Sequence, residues 1–87
     1  MPTPAVSIII PAFNEAATIG PLVQRLRALY PAAEIIVIDD GSTDDTAGAA
    51  GRSGASVYRH PYNIGNGAAV KSGIRASAGD VLVFMDA

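Results

Sequence analysis

The chain has 87 residues, so one small domain is its ceiling. A hydrophobic fraction of 49% and a mean hydropathy of +0.31 favour a packed core and argue against disorder. A formal net charge of −2 gives no electrostatic footprint for nucleic acid, and the lack of cysteine excludes disulfides and thiolate metal sites.

The longest apolar runs are strand-sized, far short of a bilayer span. Met1-Pro2-Thr3-Pro4 has no basic start and no apolar stretch behind it, so it does not read as a signal peptide and a cytoplasmic setting is expected. Ala5 to Ile10 reads as a buried strand, a short β-branched run that Pro11 stops. Thr18 is a candidate N-cap or first-turn residue of a helix in which Ile19, Leu22, Val23, Leu26 and Leu29 recur at helical spacing. Pro21 is tolerated there as a first-turn residue, and Pro31 ends the helix. Glu34 to Ile38 is a second buried strand. Ser42 or Thr43 then caps a short Ala-rich helix reaching about Ala50. Ser56 to Arg59 is a third, weaker strand. Asn63 caps a helix to about Ser77 with Gly79 as its stop, and Asp80 to Met85 is a fourth strand.

Strands and helices alternating over short connections predict an α/β three-layer sandwich with a parallel, Rossmann-like sheet in the order 3-2-1-4. In such sheets ligands bind outside the carboxyl ends of the strands. Pro11 to Glu15 follow the first strand, Asp39 and Asp40 the second, and Asp86 the fourth. Carboxylates thus crowd a rim nearly without Lys or Arg. Their repulsion should raise some of their pKa values until a cation neutralises them.

Asp39-Asp40-Gly41-Ser42-Thr43 is the strongest local signal. Two adjacent carboxylates at a buried strand end are costly without partners. One suits bonds from a base ring and a ribose; the other suits capping a helix or orienting loop amides. Turn and cap chemistry accounts well for Asp40, Gly41, Ser42 and Thr43 but poorly for Asp39. In Pro11-Ala12-Phe13-Asn14-Glu15, Phe13 can shield a base or ribose and Glu15 can hold a ribose hydroxyl, although a plain helix-entry loop uses the same residues. Asn63 to Ala69 opens a helix with small residues, which close helix-on-sheet packing explains better than phosphate contact. Val70 departs from a dinucleotide fingerprint. Lys71 reads as solvated and His60 as an inert loop histidine. Asp86 is either a hard oxygen ligand for Mg²⁺ or Mn²⁺ or an ordinary turn-starting residue.

Val6 to Glu15, Ile36 to Asp44 and Gly79 to Ala87, in that order and spacing, resemble the family-2 glycosyltransferases. Asn63 to Gly73 is similar to the branch that uses polyprenyl or dolichyl phosphate as acceptor. The resemblance implies a GT-A nucleotide-diphospho-sugar transferase fold. Residues 1–87 would form a single domain, the N-terminal half of the catalytic domain, truncated within its Asp-x-Asp motif. It implies that Pro11, Ala12, Phe13 and Glu15 line the nucleotide pocket, that Asp39 contacts the base, and that Asp86 lies at the nucleotide as the first metal acid. Phe13 stands where the family often has tyrosine, which removes a hydroxyl. The family's reaction is inverting transfer, in which a carboxylate base activates the acceptor hydroxyl and a metal stabilises the departing diphosphate. No residue here is assignable as that base, so the isolated chain is expected to be inactive. The implied partners are a UDP- or GDP-sugar, Mg²⁺ or Mn²⁺, and a polyprenyl phosphate at the membrane surface.

Two other readings remain open at this point. A receiver-like signalling domain with Asp86 as phospho-acceptor shares the acidic pair and the later Asp, although a complete strand and helix precede the pair here. A non-functional structural fragment is the other, and its last strand, Val81 to Met85, would present an unpaired apolar edge and self-associate.

Overall fold

Strand and helix alternate through seven elements: β1 (Val6–Ala12), α1 (Ala16–Leu29), β2 (Glu34–Asp39), α2 (Thr46–Arg52), β3 (Ser56–Arg59), α3 (Asn66–Ala76) and β4 (Val81–Phe84). This is a computed structural model, which describes residues 5–86; the readings made on Met1–Pro4 and Ala87 lie outside them. The four strands form one sheet in the order β3-β2-β1-β4, with every neighbouring pair parallel, as the alternation predicts.

Side-chain alternation divides the strand residues between two cores. Ile8, Ile10, Ala12, Ile35 and Val37 pack with Ile19, Val23 and Leu26 of α1 and Ala50 of α2. Ile9, Ile36 and Ile38 face the other way, onto Ala69 of α3. The two central strands are covered on both faces, which is why they read as unbroken apolar runs. Each fully buried Ile or Val contributes roughly 1.5–3 kcal/mol of transfer free energy. Gly73 brings α3 against β1, because a Cβ there would run into Ile9. β4 is an outer strand with Val81, Val83 and Phe84 exposed, so the expected apolar edge is present. Among the described residues no helix is long and apolar enough to cross a membrane.

Several boundaries differ from expectation, each for a tertiary reason. β1 continues through Pro11, which pairs with Ile38, to Ala12. The Ile9 carbonyl bonds towards β4 and the Ala12 carbonyl towards β2, so by alternation the missing Pro11 N–H faces the β4 side. The β4 pairing ends there at Phe84, and the ladder loses little. α1 begins two residues before Thr18, placing Pro21 beyond the first turn. Its lost bond would have used the Ala17 carbonyl, on an exposed residue where water can serve. Neither Ser42 nor Thr43 caps α2, which starts at Thr46, and Asn63 does not cap α3, which starts at Asn66 after Gly65. Gly79 is no left-handed stop either. A Cβ there would stand 2.7 Å from the Ser7 N, so glycine allows close approach to β1.

Candidate functional site

The segments after β1 and β2 are tied together by side chains. Asn14 adopts φ 53, a left-handed conformation that asparagine tolerates. Its Oδ1 accepts from the Thr43 N–H at 2.9 Å and from the Thr43 hydroxyl at 3.2 Å. Its own N–H donates to Ser42 Oγ at 2.8 Å. The Glu15 N–H donates to Thr46 Oγ1 at 2.9 Å and the Ala16 N–H to Asp44 Oδ2 at 3.2 Å, satisfying amides at the start of α1. The Thr46 hydroxyl, bonded to Asp44, holds that carboxyl below its ordinary range; burial opposes this and the Ala16 and Thr46 amides reinforce it.

The adjacent acids take opposite faces. Asp40 lies on the α3 side. Its Oδ1 accepts from His60 Nδ1 at 2.7 Å and from the Ile64 N–H at 3.0 Å, and its Oδ2 from the Gly65 N–H at 2.9 Å. His60 Nε2 in turn shares a hydrogen bond with Ser72 Oγ of α3 at 2.8 Å. Burial pushes the Asp40 pKa up, but the bonds from His60 and the two amides outweigh it and hold the carboxyl low. His60 is therefore not an idle loop residue; it bridges β2 to α3. His60→Ala should speed exchange of the Ile64 and Gly65 amides by about tenfold, as losing hydrogen bonds of about 1 kcal/mol each requires. Hydrogen exchange by NMR checks this, and unchanged rates would show that Asp40 holds the loop alone.

Asp39 is fully buried. Its Oδ1 accepts from the Ser42 N–H at 3.0 Å, while its Oδ2 has no hydrogen-bond partner. Arg59, its register partner on β3, places Nε 3.5 Å from that oxygen. This corrects the picture of a rim nearly free of basic residues. It also corrects the expected upward shifts, since Asp40 and Asp44 both lie low.

Pro11, Ala12 and Phe13 meet Asp40, Asn63, Gly65, Asn66 and Ala69 around a cleft of about 280 Å³ at the carboxyl end of the sheet. The close-packing account of the small residues fails at its opening. A Cβ at Gly65 or Gly67 would meet nothing within 4 Å, and Gly65 is required by its φ of 121. Glu15 lies outside this cleft, its Oε2 accepting from the Thr18 hydroxyl at 3.0 Å. Asp39 does not line it, and Asp86 is exposed beyond β4. Among the described residues no three His, Cys, Asp or Glu converge on a metal position. Asp86 still fits as one ligand, because Mg²⁺ commonly takes one or two carboxylates and completes its shell with substrate phosphates and water. A larger apolar groove of about 730 Å³ lies between α1 and β4, but it reaches the amino ends of β1 and β2 and includes no acid.

Residues 7–87 match the model of a family described as glycosyl transferase family 2. The chain belongs to that family. Glucosyl-3-phosphoglycerate synthase from Mycobacterium tuberculosis, solved with Mn²⁺, UDP-glucose and phosphoglyceric acid, is 37% identical with a TM-score of 0.83, over 94% of this chain and 32% of that one. The same synthase has been solved with Mg²⁺ and UDP. Mannosyl-3-phosphoglycerate synthase from Rubrobacter xylanophilus gives a TM-score of 0.85 at 32% identity, over 95% of this chain and 30% of that one. An undecaprenyl-phosphate 4-deoxy-4-formamido-L-arabinose transferase of Pseudomonas paraeruginosa is 38% identical over 99% of this chain and 28% of its own length. The chain thus spans less than a third of these relatives. Its fold is the GT-A fold of the family-2 glycosyltransferases, and the receiver reading lapses. A phosphoglycerate stands in the names of the two synthases and a polyprenyl phosphate in that of the transferase.

Proposed function

We propose that this chain is the nucleotide-binding part of an inverting glycosyltransferase and holds a UDP- or GDP-sugar at the carboxyl rim of its sheet. Asp39 carries the reading. A buried carboxylate oxygen with no donor is costly unless a ligand supplies one, and a base N–H is of the right kind. Pro11, Ala12 and Phe13 line the neighbouring cleft on the other face of the strand ends, with Phe13 exposed to cover the base or ribose. Glu15 takes a ribose hydroxyl after leaving Thr18. Asp86 supplies one ligand to Mg²⁺ or Mn²⁺, which when bound neutralises the diphosphate. In this reading the chain alone binds donor without turnover. The acceptor we assign is a polyprenyl phosphate at the cytoplasmic membrane face, on the likeness of Asn63 to Gly73 to that branch.

NMR titration of the labelled chain with UDP and GDP, with and without Mg²⁺, tests this. Shifts clustered at Phe13, Glu15, Ser42 and Asp86 are expected, and the responding nucleotide names the donor. Asp39→Ala should weaken that binding roughly tenfold, the scale of one hydrogen bond to a charged group. Silence towards both nucleotides from a folded chain would overturn the reading, and unchanged affinity in Asp39→Ala would remove Asp39 from the site.

A further inference from the structure

We propose that Arg59 is a displaceable lid over the base-reading carboxylate and thereby sets the base-dependent part of nucleotide affinity. This rests on the reading of Asp39 given above and goes one residue beyond it. Asp39 and Arg59 are register partners at the ends of β2 and β3. The Asp39 side chain is 0% exposed, whereas that of Arg59 is 60% exposed. The guanidinium straddles two oxygens, with Nε 3.5 Å from Asp39 Oδ2 and Nη2 donating to Ser42 O at 3.3 Å. It nevertheless leaves Oδ2 without a hydrogen bond.

The buried oxygen is therefore neutralised by a long contact to a solvated cation and is not bonded. In this proposal the guanidinium stands where a base N–H would approach Oδ2. The contact is long and its Arg59 end is largely solvated, so Arg59 loses little on swinging into water. The carboxylate gains a short, charge-assisted bond from the ligand in exchange. An ordinary cross-strand ion pair would use the same two residues. A lid differs in that removing it should help the base and leave the diphosphate unaffected.

UDP, GDP and inorganic pyrophosphate, each with Mg²⁺, are titrated into the wild-type chain, Arg59→Ala and Arg59→Lys. The Ser42 amide, which donates to Asp39 Oδ1, reports on the base end of the site. Arg59→Ala should tighten the responding nucleotide roughly two- to fivefold, the range for releasing an exposed ion pair, with pyrophosphate unchanged and Arg59→Lys in between. The Arg59 Nε–H resonance of the wild-type chain should move with nucleotide and stay still with pyrophosphate. If the Ser42 amide responds but Arg59→Ala binds equally or more weakly, Asp39 still reads the base and the lid is overturned. Equal changes for nucleotide and pyrophosphate also overturn it, since Arg59 would then act on the whole rim. If Ser42 is silent in every chain, the base reading falls and the lid falls with it.

Discussion

Gly41→Ala should lower the unfolding free energy by about 2–5 kcal/mol, a large share of what a domain of this size holds. Two independent effects add. Gly41 has φ +74, a left-handed conformation that costs an alanine about 1–2 kcal/mol. A Cβ there would also collide with the Tyr62 carbonyl carbon and stand 2.5 Å from Asn63 N and 2.6 Å from Tyr62 Cα. These are backbone atoms of a segment pinned on both sides of the contact. The His60 side chain bonds Asp40 before it, and the Ile64 and Gly65 amides bond Asp40 after it. The segment cannot retreat without breaking those bonds, so relaxation is denied and overpacking adds about 1–3 kcal/mol. The midpoint of thermal unfolding should fall by about 8–40 °C, at about 4–8 °C per kcal/mol. Gly67→Ala is the matched control. It lies inside α3, meets nothing within 4 Å, and should be neutral or slightly stabilising. Equal urea midpoints for Gly41→Ala and the wild-type chain would show that Tyr62 and Asn63 do not seat on Gly41.

The sheet was legible because its signals are local. β-Branched runs at Val6–Ile10 and Glu34–Ile38, with short connections, leave few topologies, and the order β3-β2-β1-β4 is among them. The caps were not legible, because their partners are distant in sequence. Thr46 serves Glu15 across 31 positions, and Ser42, which reads as an α2 cap, serves Asn14 across 28, so both hydroxyls are spent on the entry to α1. The cleft divides the same way. Pro11, Ala12 and Phe13 stand together as expected, but their companions Asp40, Asn63 and Asn66 come from the α3 side, and Asp39 points away from them. Arg59 reads in the sequence only as a strand end and His60 only as an inert loop residue, for one reason. Only the β2–β3 register places Arg59 beside Asp39 and brings His60 back over Asp40, and no local pattern encodes a register between strands. One signal was available for Asn14, since asparagine before a helix is a common carrier of left-handed backbone.

Asp40→Ala is the second large expected effect, a loss of about 3 kcal/mol, because one side chain anchors a histidine and two amides. The acid dependence gives a sharper signature than the magnitude. In the folded chain Asp40 lies below its ordinary value of 3.8: burial raises it, and the His60 bond and the two amides more than reverse that. A carboxyl depressed on folding contributes stability that is fully present above its unfolded pKa and drains away as pH falls through the folded one. The wild-type chain should therefore lose this increment below about pH 4, while Asp40→Ala, lacking it throughout, should show a flatter acid limb. Urea unfolding of both chains between about pH 6 and pH 3 measures the difference. Parallel acid limbs would mean that the low pKa reflects contacts that survive unfolding. Because Asn63, Gly65 and Asn66 line the cleft with Asp40, the same substitution should also loosen one wall of the proposed nucleotide site. Asp39→Ala should weaken binding and leave that wall in place, so the two neighbouring acids separate into one that holds the site and one that reads the ligand.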